Sequence, residues 1–241
     1  MTIKVIRAAI LRLAVLFAVC FSAAAVAQDF SAIISAPDRT DADRQADKRR
    51  DPMKLLEFVG PRPGWRVLDM AVGAGYSTEL MARTVQPGGK VIAQDDRASE
   101  KFSARMKTPI MSSVEAFVTP FDDLSNPAFR DFDLETFFFG YHDTTYLPVD
   151  RAKMNKALFD ALKPGGLLVV ADHSAKPEDG TTVGKTLHRI SEKSVRAEIE
   201  AAGFVFVADA DFNRHPEDER TNAIFRNPTP VDGFVLKFRK P

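Results

Sequence analysis

Two adjacent pairs of histidine and aspartate are the residues of this sequence best suited to acid–base chemistry. One pair is His142-Asp143, in the stretch FGYHDTTYLP, and the other is Asp172-His173, in VVADHSA. An imidazole beside a carboxylate can act as a general acid or base, because the carboxylate orients the ring and shifts its pKa. We therefore take His142, Asp143 and His173 as the candidate catalytic residues.

Three more residues are predicted to contact the substrate. Tyr141 and Tyr146 flank the first pair, and His188 lies in TLHRI, just before a predicted helix. Two histidines with a carboxylate can also hold a divalent metal ion. Neighbouring residues of an extended chain point to opposite sides, so four ligands would converge only if the loops bend. No metal is therefore predicted, and His215, in a late loop, is expected at the surface.

The stretch VLDMAVGAGYSTEL, residues 67–80, runs from an apolar strand through a glycine-rich turn into a helix. Such a turn usually cradles a nucleotide. A dinucleotide site would have a third glycine where Thr78 stands, and Asp69 at the strand end would repel a diphosphate. The same carboxylate suits a ligand with an ammonium and a sulfonium group. Asp95, at the end of KVIAQD, can accept both hydroxyls of a ribose. Together these features favour an adenosyl amino acid over NAD.

Strand and helix patterns alternate along the body of the chain. Strand-like runs cover residues 66–70, 90–95, 114–119, 132–139, 166–172, 204–209 and 233–239, and helical patterns lie between most of them. This alternation predicts an α/β fold with a Rossmann-like, doubly wound sheet of seven strands, mostly parallel and with the last strand antiparallel. Ligands of such sheets bind outside the carboxyl ends of the strands. Both histidine–aspartate pairs and both acids of the nucleotide site follow strand ends.

Residues 1–27 have the three regions of a secretory signal peptide. Lys4, Arg7 and Arg12 precede an apolar core, and Ala25-Val26-Ala27 is a small-x-small cleavage pattern. The apolar run is short for a bilayer span, which needs about 20 residues. We therefore predict cleavage after Ala27, a periplasmic or secreted location and no stable membrane anchor.

The charge composition argues against nucleic acid as a partner. The chain has 33 basic and 33 acidic residues, and cleavage would leave 30 basic and 33 acidic ones without any basic stripe. Cleavage would also remove Cys20, the only cysteine. We expect one folded domain over residues 51–241 after a charged arm at 28–50. The run DRTDADRQADKRRDP, residues 38–52, is interpreted as a solvated arm or surface helix, with a lid over the site as the alternative.

From about residue 52 to 240 the chain resembles a class I S-adenosylmethionine-dependent methyltransferase. The resemblance is carried by VLDMAVGAGYST, GKVIAQD, TPFDDL and ALKPGGLLVVAD, with Ala71 in place of the usual first glycine of the family's first motif. It implies S-adenosylmethionine as the cofactor, a carboxylate on the ribose, and an acid and an aromatic ring near the adenine. The cofactor-binding residues it implies are Asp69, Ala71, Gly73, Gly75, Tyr76, Thr78, Asp95, Phe121, Asp122 and Asp123. The signal-like start with FGYHDTTYLP, DHSA and TLHRI resembles an uncharacterised exported bacterial subgroup.

The resemblance implies in-line transfer of a methyl group to an acceptor, for which we expect a small molecule. Alanine at position 71 can fit if its backbone dihedrals are ordinary. Two other classes stay open: a protein that binds an adenosyl nucleotide or other small ligand without chemistry, and a hydrolase that uses Ser174 or Ser77. No G-x-S-x-G elbow supports the hydrolase. The oligomeric state does not follow from the sequence.

Overall fold

A computed structural model describes residues 28–241, so the predicted signal peptide lies outside the described part. The strands are β1 Arg66–Met70, β2 Lys90–Asp95, β3 Val114–Val118, β4 Phe132–Phe138, β5 Leu162–His173, β6 Val205–Ala210 and β7 Gly233–Arg239. The helices are α1 Phe30–Ile34, α2 Asp41–Arg50, α3 Pro52–Val59, α4 Tyr76–Thr84, α5 Glu100–Arg105, α6 Arg151–Ala161, α7 Gly184–Leu187 and α8 Glu192–Ala201. Within residues 28–241, no helix has the length and apolarity to cross a membrane.

The seven strands form one sheet in the order β3-β2-β1-β4-β5-β7-β6, which confirms the predicted fold. The first five strands pair in parallel, whereas β7 lies between β5 and β6 and is antiparallel to both. The chain order reverses beside β1, whose two neighbours are β2 and β4. In doubly wound sheets this reversal opens a crevice at the carboxyl ends of the strands. The predicted site residues lie along that edge.

The sheet is covered on both faces, and each face has its own apolar core. One core joins strand side chains such as Leu68, Phe137 and Leu168 to Met154 of α6 and Ile199 of α8. The other joins the opposite face of the strands to helices α3 and α4, through buried residues that include Leu56, Val67, Leu80, Met81 and Val169. Burial on both faces explains why the middle of β5, residues 167–171 (LLVVA), is continuously apolar in sequence.

The charged arm forms a surface helix, α2, one of the two forms expected for residues 38–52, and this helix packs on the domain instead of being fully solvated. Arg39 donates to both carboxylate oxygens of Asp47, at 2.7 and 2.8 Å, and Tyr76 at the start of α4 donates to Asp47 at 2.6 Å. Asp43, 4% exposed, accepts from Arg105 of α5 at 2.7 and 3.0 Å. Helix α2 is therefore fastened beside the glycine-rich turn by buried ion pairs.

One buried carboxyl group of the sheet leads to a prediction about stability. Glu135 in β4 is fully buried between Leu68 and Leu168, and neither of its oxygens has a hydrogen-bond partner among the described residues. Burial raises its pKa well above the ordinary value, although Lys240 opposes the shift. Because the pKa of Glu135 is raised in the folded state, the contribution of this group to the free energy of unfolding is fully present below the pKa of the unfolded chain, about 4.3. The contribution is lost as the pH rises through the folded-state pKa.

Glu135→Leu is therefore expected to stabilise the protein at pH 8 by about 1–3 kcal/mol, which corresponds to roughly 2–4 °C in Tm per kcal/mol for a chain of this size. The gain should shrink at pH 5, where the wild-type carboxyl is closer to neutral. Thermal unfolding of both proteins across this range measures the effect. Glu115→Leu, on the exposed side of β3, is the matched control and should shift Tm little. A Tm difference between Glu135→Leu and wild type that is the same at pH 5 and at pH 8 would contradict the prediction.

Candidate active site

The glycine-rich turn between β1 and α4, residues 71–75, has three residues in the left-handed region. The φ angles are 55° at Ala71, 55° at Gly73 and 81° at Gly75. A left-handed alanine is strained, so the expectation of ordinary dihedrals at position 71 was wrong. Gly140, after β4, makes room for it, because a Cβ there would lie 2.5 Å from the Cβ of Ala71. The space above Gly73 is open.

Asp69 supports this turn from behind. Its side chain is fully buried and accepts hydrogen bonds from Thr136 at 2.6 Å, Thr78 at 2.7 Å and Ser77 at 3.1 Å. Direct contact with a ligand's ammonium group, as predicted for Asp69, is therefore not available in this arrangement. The same holds for Thr78, which is fully buried and whose hydroxyl is used to hold Asp69. The buried Ser77 hydroxyl likewise offers no nucleophile for a hydrolase.

Asp95 lies at the open edge of the turn, as expected for a ribose contact. Its carboxylate is partly exposed and accepts from the backbone N–H of Gly73 at 2.8 Å. Beside it is a cavity of about 300 Å³, the apolar slot, lined mainly by Val72, Ser99, Phe102, Met106, Phe117 and Val118. An apolar slot next to a carboxylate and an open glycine turn fits the purine, the ribose diol and the amino-acid end of S-adenosylmethionine.

The three residues predicted near the adenine lie outside this slot. Phe121 is 2% exposed and packs on Phe137 in the core, with ring centroids 5.7 Å apart, so its predicted stacking role is wrong. Asp122 faces Lys153 of α6 at 3.5 Å. Asp123 accepts from the backbone of Ser125 at 3.2 Å and turns back on its own loop. Sequence reasoning missed Phe102 and Val118, which are helix and strand residues without a motif of their own.

The two histidine–aspartate pairs meet at the carboxyl ends of β4 and β5. Asp172 is fully buried; it accepts from the backbone N–H of His142 at 2.8 Å and contacts His142 Nδ1 at 2.8 Å. His142 Nε2 lies 3.2 Å from Asp143 Oδ1. Burial alone would lower the pKa of His142, but the charges and hydrogen bonds of Asp172 and Asp143 outweigh it and raise the pKa to about 10. The buried imidazole is thus held between two carboxylates.

The other histidines surround this pair. His188 lies edge-on to His142, with ring centroids 5.5 Å apart, and its Nδ1 is 3.9 Å from Asp143 Oδ1. His173 is 6.2 Å from His142 between ring centroids, and burial lowers its pKa to about 4 despite Asp172. His173 is accordingly neutral at physiological pH, and a weak base. His188, predicted to contact the substrate, lies beside the candidate catalytic residues His142 and Asp143.

The two tyrosines beside His142 differ in position. Tyr146 is at the surface and donates to Asp143 Oδ1 at 2.5 Å, and its contact with the substrate stays a prediction. Tyr141 is fully buried and donates to Glu198 of α8 at 2.9 Å, while Asn155 of α6 donates to its hydroxyl at 2.7 Å. Tyr141 therefore faces the core, and its predicted role as a wall of the substrate pocket is wrong.

A cavity of about 470 Å³, the basic pocket, opens beside His173. Its lining includes Lys48, Arg49 and Arg50 at the end of α2, and none of the described lining residues carries a carboxylate. The Arg50 guanidinium lies 4.8 Å from the ring centroid of Tyr76 and 5.2 Å from that of Phe139, which connects the pocket to the glycine turn. His215 also lines the pocket, and its side chain is 34% exposed.

Fold and site together define a class I S-adenosylmethionine-dependent methyltransferase. The sheet order is the one that this class uses, and the turn, Asp95 and the slot fit its cofactor. Residues 39–184, more than half of the chain, match the model of the ubiE/COQ5 methyltransferase family. The chain belongs to that family, and it is a methyltransferase that uses S-adenosylmethionine.

Three similar proteins are each less than 30% identical to this chain. The ubiquinone/menaquinone biosynthesis C-methyltransferase UbiE of Cronobacter sakazakii is 28% identical over 183 residues, which cover 71% of this chain and 68% of that protein. A SAM-dependent methyltransferase from Aquifex aeolicus has the same fold, with a TM-score of 0.61 and 19% identity over 84% of this chain and all of the other. A possible exported protein from Bordetella parapertussis also shares the fold, with a TM-score of 0.56 and 17% identity over 85% of this chain and 71% of the other.

Proposed function

We propose that the protein transfers the methyl group in line to a small-molecule acceptor bound in the basic pocket. One observation carries this proposal: the pocket adjoins both the His142–Asp172 pair, through His173, and the glycine turn, through Arg50 and Tyr76. Its volume of about 470 Å³ lies within the range of small-molecule sites. An acceptor in this pocket would lie between the residues that hold the donor and the residues that can act on the acceptor.

The chain's own contribution is chiefly positioning. S-adenosylmethionine supplies an activated methyl group, so holding the acceptor near it can contribute about 7–11 kcal/mol of the barrier reduction. The end of helix α2 and the loop around Phe225 both line the pocket. Behind the lining residue His173, the imidazole of His142 lies between Asp172 and Asp143, and in this proposal these polar groups act on an acceptor oxygen or acidic proton.

The lining indicates the chemical class of the acceptor. Three cationic side chains stand at one end, and Phe139, Ile224 and Phe225 provide apolar walls. This combination favours a molecule with an apolar, for example aromatic, body and an anionic group such as a carboxylate. Arg50 is the best candidate to bind that group, because it is stacked between two rings and makes no ion pair within residues 28–241. The UbiE relatives are named C-methyltransferases, which makes carbon the first acceptor atom to test.

The test is conversion of methyl-labelled donor to S-adenosylhomocysteine by the purified protein, with a panel of phenolic and enolic carboxylates and their uncharged analogues. The carboxylates are expected to drive conversion and the uncharged analogues to be poor acceptors. Donor that binds but is never converted with any member of the panel would overturn the proposal, and would favour a binding protein without catalysis.

Arg50→Gln should raise the KM for the best acceptor about 10–100-fold, the loss expected when a charge-assisted hydrogen bond of about 1.5–3 kcal/mol is removed. The donor Kd should change much less. Arg62→Gln is the matched control, since Arg62 is exposed and stacks on Trp65 away from the pocket. An unchanged acceptor KM in Arg50→Gln would show that Arg50 does not bind the acceptor. A rise in the donor Kd as large as the rise in the acceptor KM would indicate that Arg50 binds the carboxylate of the donor instead.

A further inference from the structure

Three side chains near the carboxyl ends of β4 and β5, those of His142, Asp143 and His188, converge, and hydrogen bonds among the described residues do not account for the position of all three. His142 Nε2 is 3.2 Å and His188 Nδ1 is 3.9 Å from Asp143 Oδ1, and the ligand atoms of the three residues all lie within 4.8 Å of one another. At 3.9 Å the contact of His188 is too long for a hydrogen bond. The His188 ring makes no hydrogen bond within residues 28–241. Two imidazoles and one carboxylate thus face a common point, and the His188 side chain is 30% exposed there.

We propose that His142, Asp143 and His188 form a binding site for a divalent transition-metal ion. Two imidazole nitrogens and one carboxylate oxygen are a set that Zn²⁺, Fe²⁺ and their neighbours bind, and three protein ligands leave positions open for a substrate oxygen or water. The spacing is suitable, because ligand atoms about 2.0–2.2 Å from a common metal ion lie about 3–4 Å apart. Small side-chain rotations would bring the three atoms to that spacing.

Asp172 gives this cluster the outer partner that metal-bound histidines usually have. It contacts His142 Nδ1 at 2.8 Å, accepts from the backbone N–H of the same residue at 2.8 Å, and is fully buried. Its contact fixes the ring with Nε2 directed into the cluster, as in the carboxylate–histidine–metal arrangement. Tyr146 orients the proposed ligand Asp143 by donating a hydrogen bond to its Oδ1 at 2.5 Å.

The loop that carries His188 is held against the other two ligands by tight packing. Helix α7 approaches the 3₁₀ helix Tyr141–Thr145 so closely that a Cβ on Gly184 would lie 2.1 Å from Thr145 Oγ1. The next residue, Arg189, is fully buried and pairs with Asp218 at 2.8 Å. His188 itself ends helix α7 in a left-handed conformation with φ 53°, and its backbone N–H donates to the carbonyl of Gly184.

The 3₁₀ helix also removes the reason for discounting a metal from sequence. On an extended chain His142 and Asp143 would point to opposite sides, but the helix turns both toward His188. The predicted partner from the second pair, His173, does not join the cluster; its neighbour Asp172 does so indirectly, through His142. The set is thus different from the four ligands that the sequence suggested.

The open positions of such an ion would lie beside the basic pocket, because the His188 ring is 5.1 Å from that of Phe225, which lines the pocket. There the ion could bind an acceptor oxygen and lower its pKa, which makes an adjacent atom a better nucleophile. This use of the ion rests on the proposed function. Binding of the ion does not, since no donor or acceptor is needed for it.

Cobalt(II) is the probe that tests the site directly. Purified protein treated with chelator and dialysed should bind one Co²⁺ per chain, seen by its ligand-field absorption, and Zn²⁺ should displace it. His188→Ala and Asp143→Asn should weaken binding at least 100-fold, and Asp172→Asn about 10–100-fold, the range for outer partners of metal ligands. His215→Ala is the matched control, because this histidine lies at the same edge outside the cluster, and it should bind Co²⁺ as the wild type does.

Absence of a Co²⁺ signal at millimolar metal, or wild-type binding by His188→Ala, would overturn the site. His188→Asn, together with Tm and donor titration of each variant, shows that a loss is not due to unfolding. The two proposals fail separately. Metal bound without methyl transfer to any acceptor overturns the proposed function and supports the site, and methyl transfer by protein that binds no metal overturns the site alone.

Discussion

Replacing His142 with alanine is expected to abolish methyl transfer while donor binding stays within about threefold of wild type. The ring lies at the rim, in contact with Asp143 and Asp172, and makes no contact with the glycine turn or Asp95. Removing a group that acts on the acceptor, whether directly or through a bound ion, typically costs about 10²–10⁴-fold in rate. The effect should therefore appear in kcat at saturating donor.

Single-turnover conversion of labelled donor measures the chemical step, and calorimetric titration measures donor affinity. Tyr141→Phe is the neighbouring control: it removes hydroxyl contacts with Glu198 and Asn155 in the core, so it should cost about 1 kcal/mol of stability but keep turnover. If His142→Ala transferred the methyl group at the wild-type rate, His142 would have no part in catalysis. A matching loss of donor affinity would instead indicate that the substitution disturbs the turn.

Replacing Asp95 with asparagine is expected to weaken donor binding about 10–100-fold, because one or two charge-assisted hydrogen bonds of about 1.5–3 kcal/mol each would be lost. The carboxylate lies between the open glycine turn and the apolar slot, next to the carboxyl group of Asp96. Its contact with Gly73 N–H should reduce the measured loss, since part of the carboxylate's hydrogen bonding is already used in the free protein.

Calorimetric titration with S-adenosylmethionine tests this directly. Asp123 offers a control of the same chemistry: Asp123→Asn should affect affinity only weakly, because Asp123 lies outside the slot and accepts from Ser125 of its own loop. Equal affinity of Asp95→Asn and wild type would remove Asp95 from the donor site. Failure of the folded wild type to bind the donor at all would mean that the strained Ala71 prevents the approach of its amino-acid end.

The strand framework could be predicted because its signals are local. Continuous apolar runs bounded by turn residues placed β1, β2 and β7 at their observed limits. The fifth strand begins at Leu162 rather than 166, because Leu162 pairs with Phe132 of β4 before an irregular stretch, and regular pairing resumes at Leu167. The pattern of apolar residues in the sequence does not indicate that a strand continues beyond its apolar part. The polar ends of the strands located the site at the correct edge of the sheet for the same local reason.

Within the site, predictions failed where the outcome depends on distant contacts. Nothing near Phe121 in sequence distinguishes a ring that stacks on a ligand from one that packs on Phe137. The arm reads as solvated because its charges alternate, whereas their partners, such as Arg105 for Asp43, lie about sixty residues away. Asp69 shows the same limit, since three hydroxyls from two elements consume the carboxylate that was expected to meet the ligand.

The strained Ala71 and the close approach of Gly140 have a consequence for how this family can diverge. The methyl group at position 71 occupies the space in which a side chain at position 140 would stand. Gly140 has a negative φ of −140°, so it is crowding, mainly by the methyl group of Ala71 at 2.5 Å and less by the Phe137 ring at 3.3 Å, that keeps it a glycine. The two positions should therefore vary as a pair: homologues with glycine at 71 are free to carry a small side chain at 140, and those with alanine at 71 are not. Such coupling would make the order of substitutions in this lineage matter, with loss of the methyl group having to precede any gain at 140.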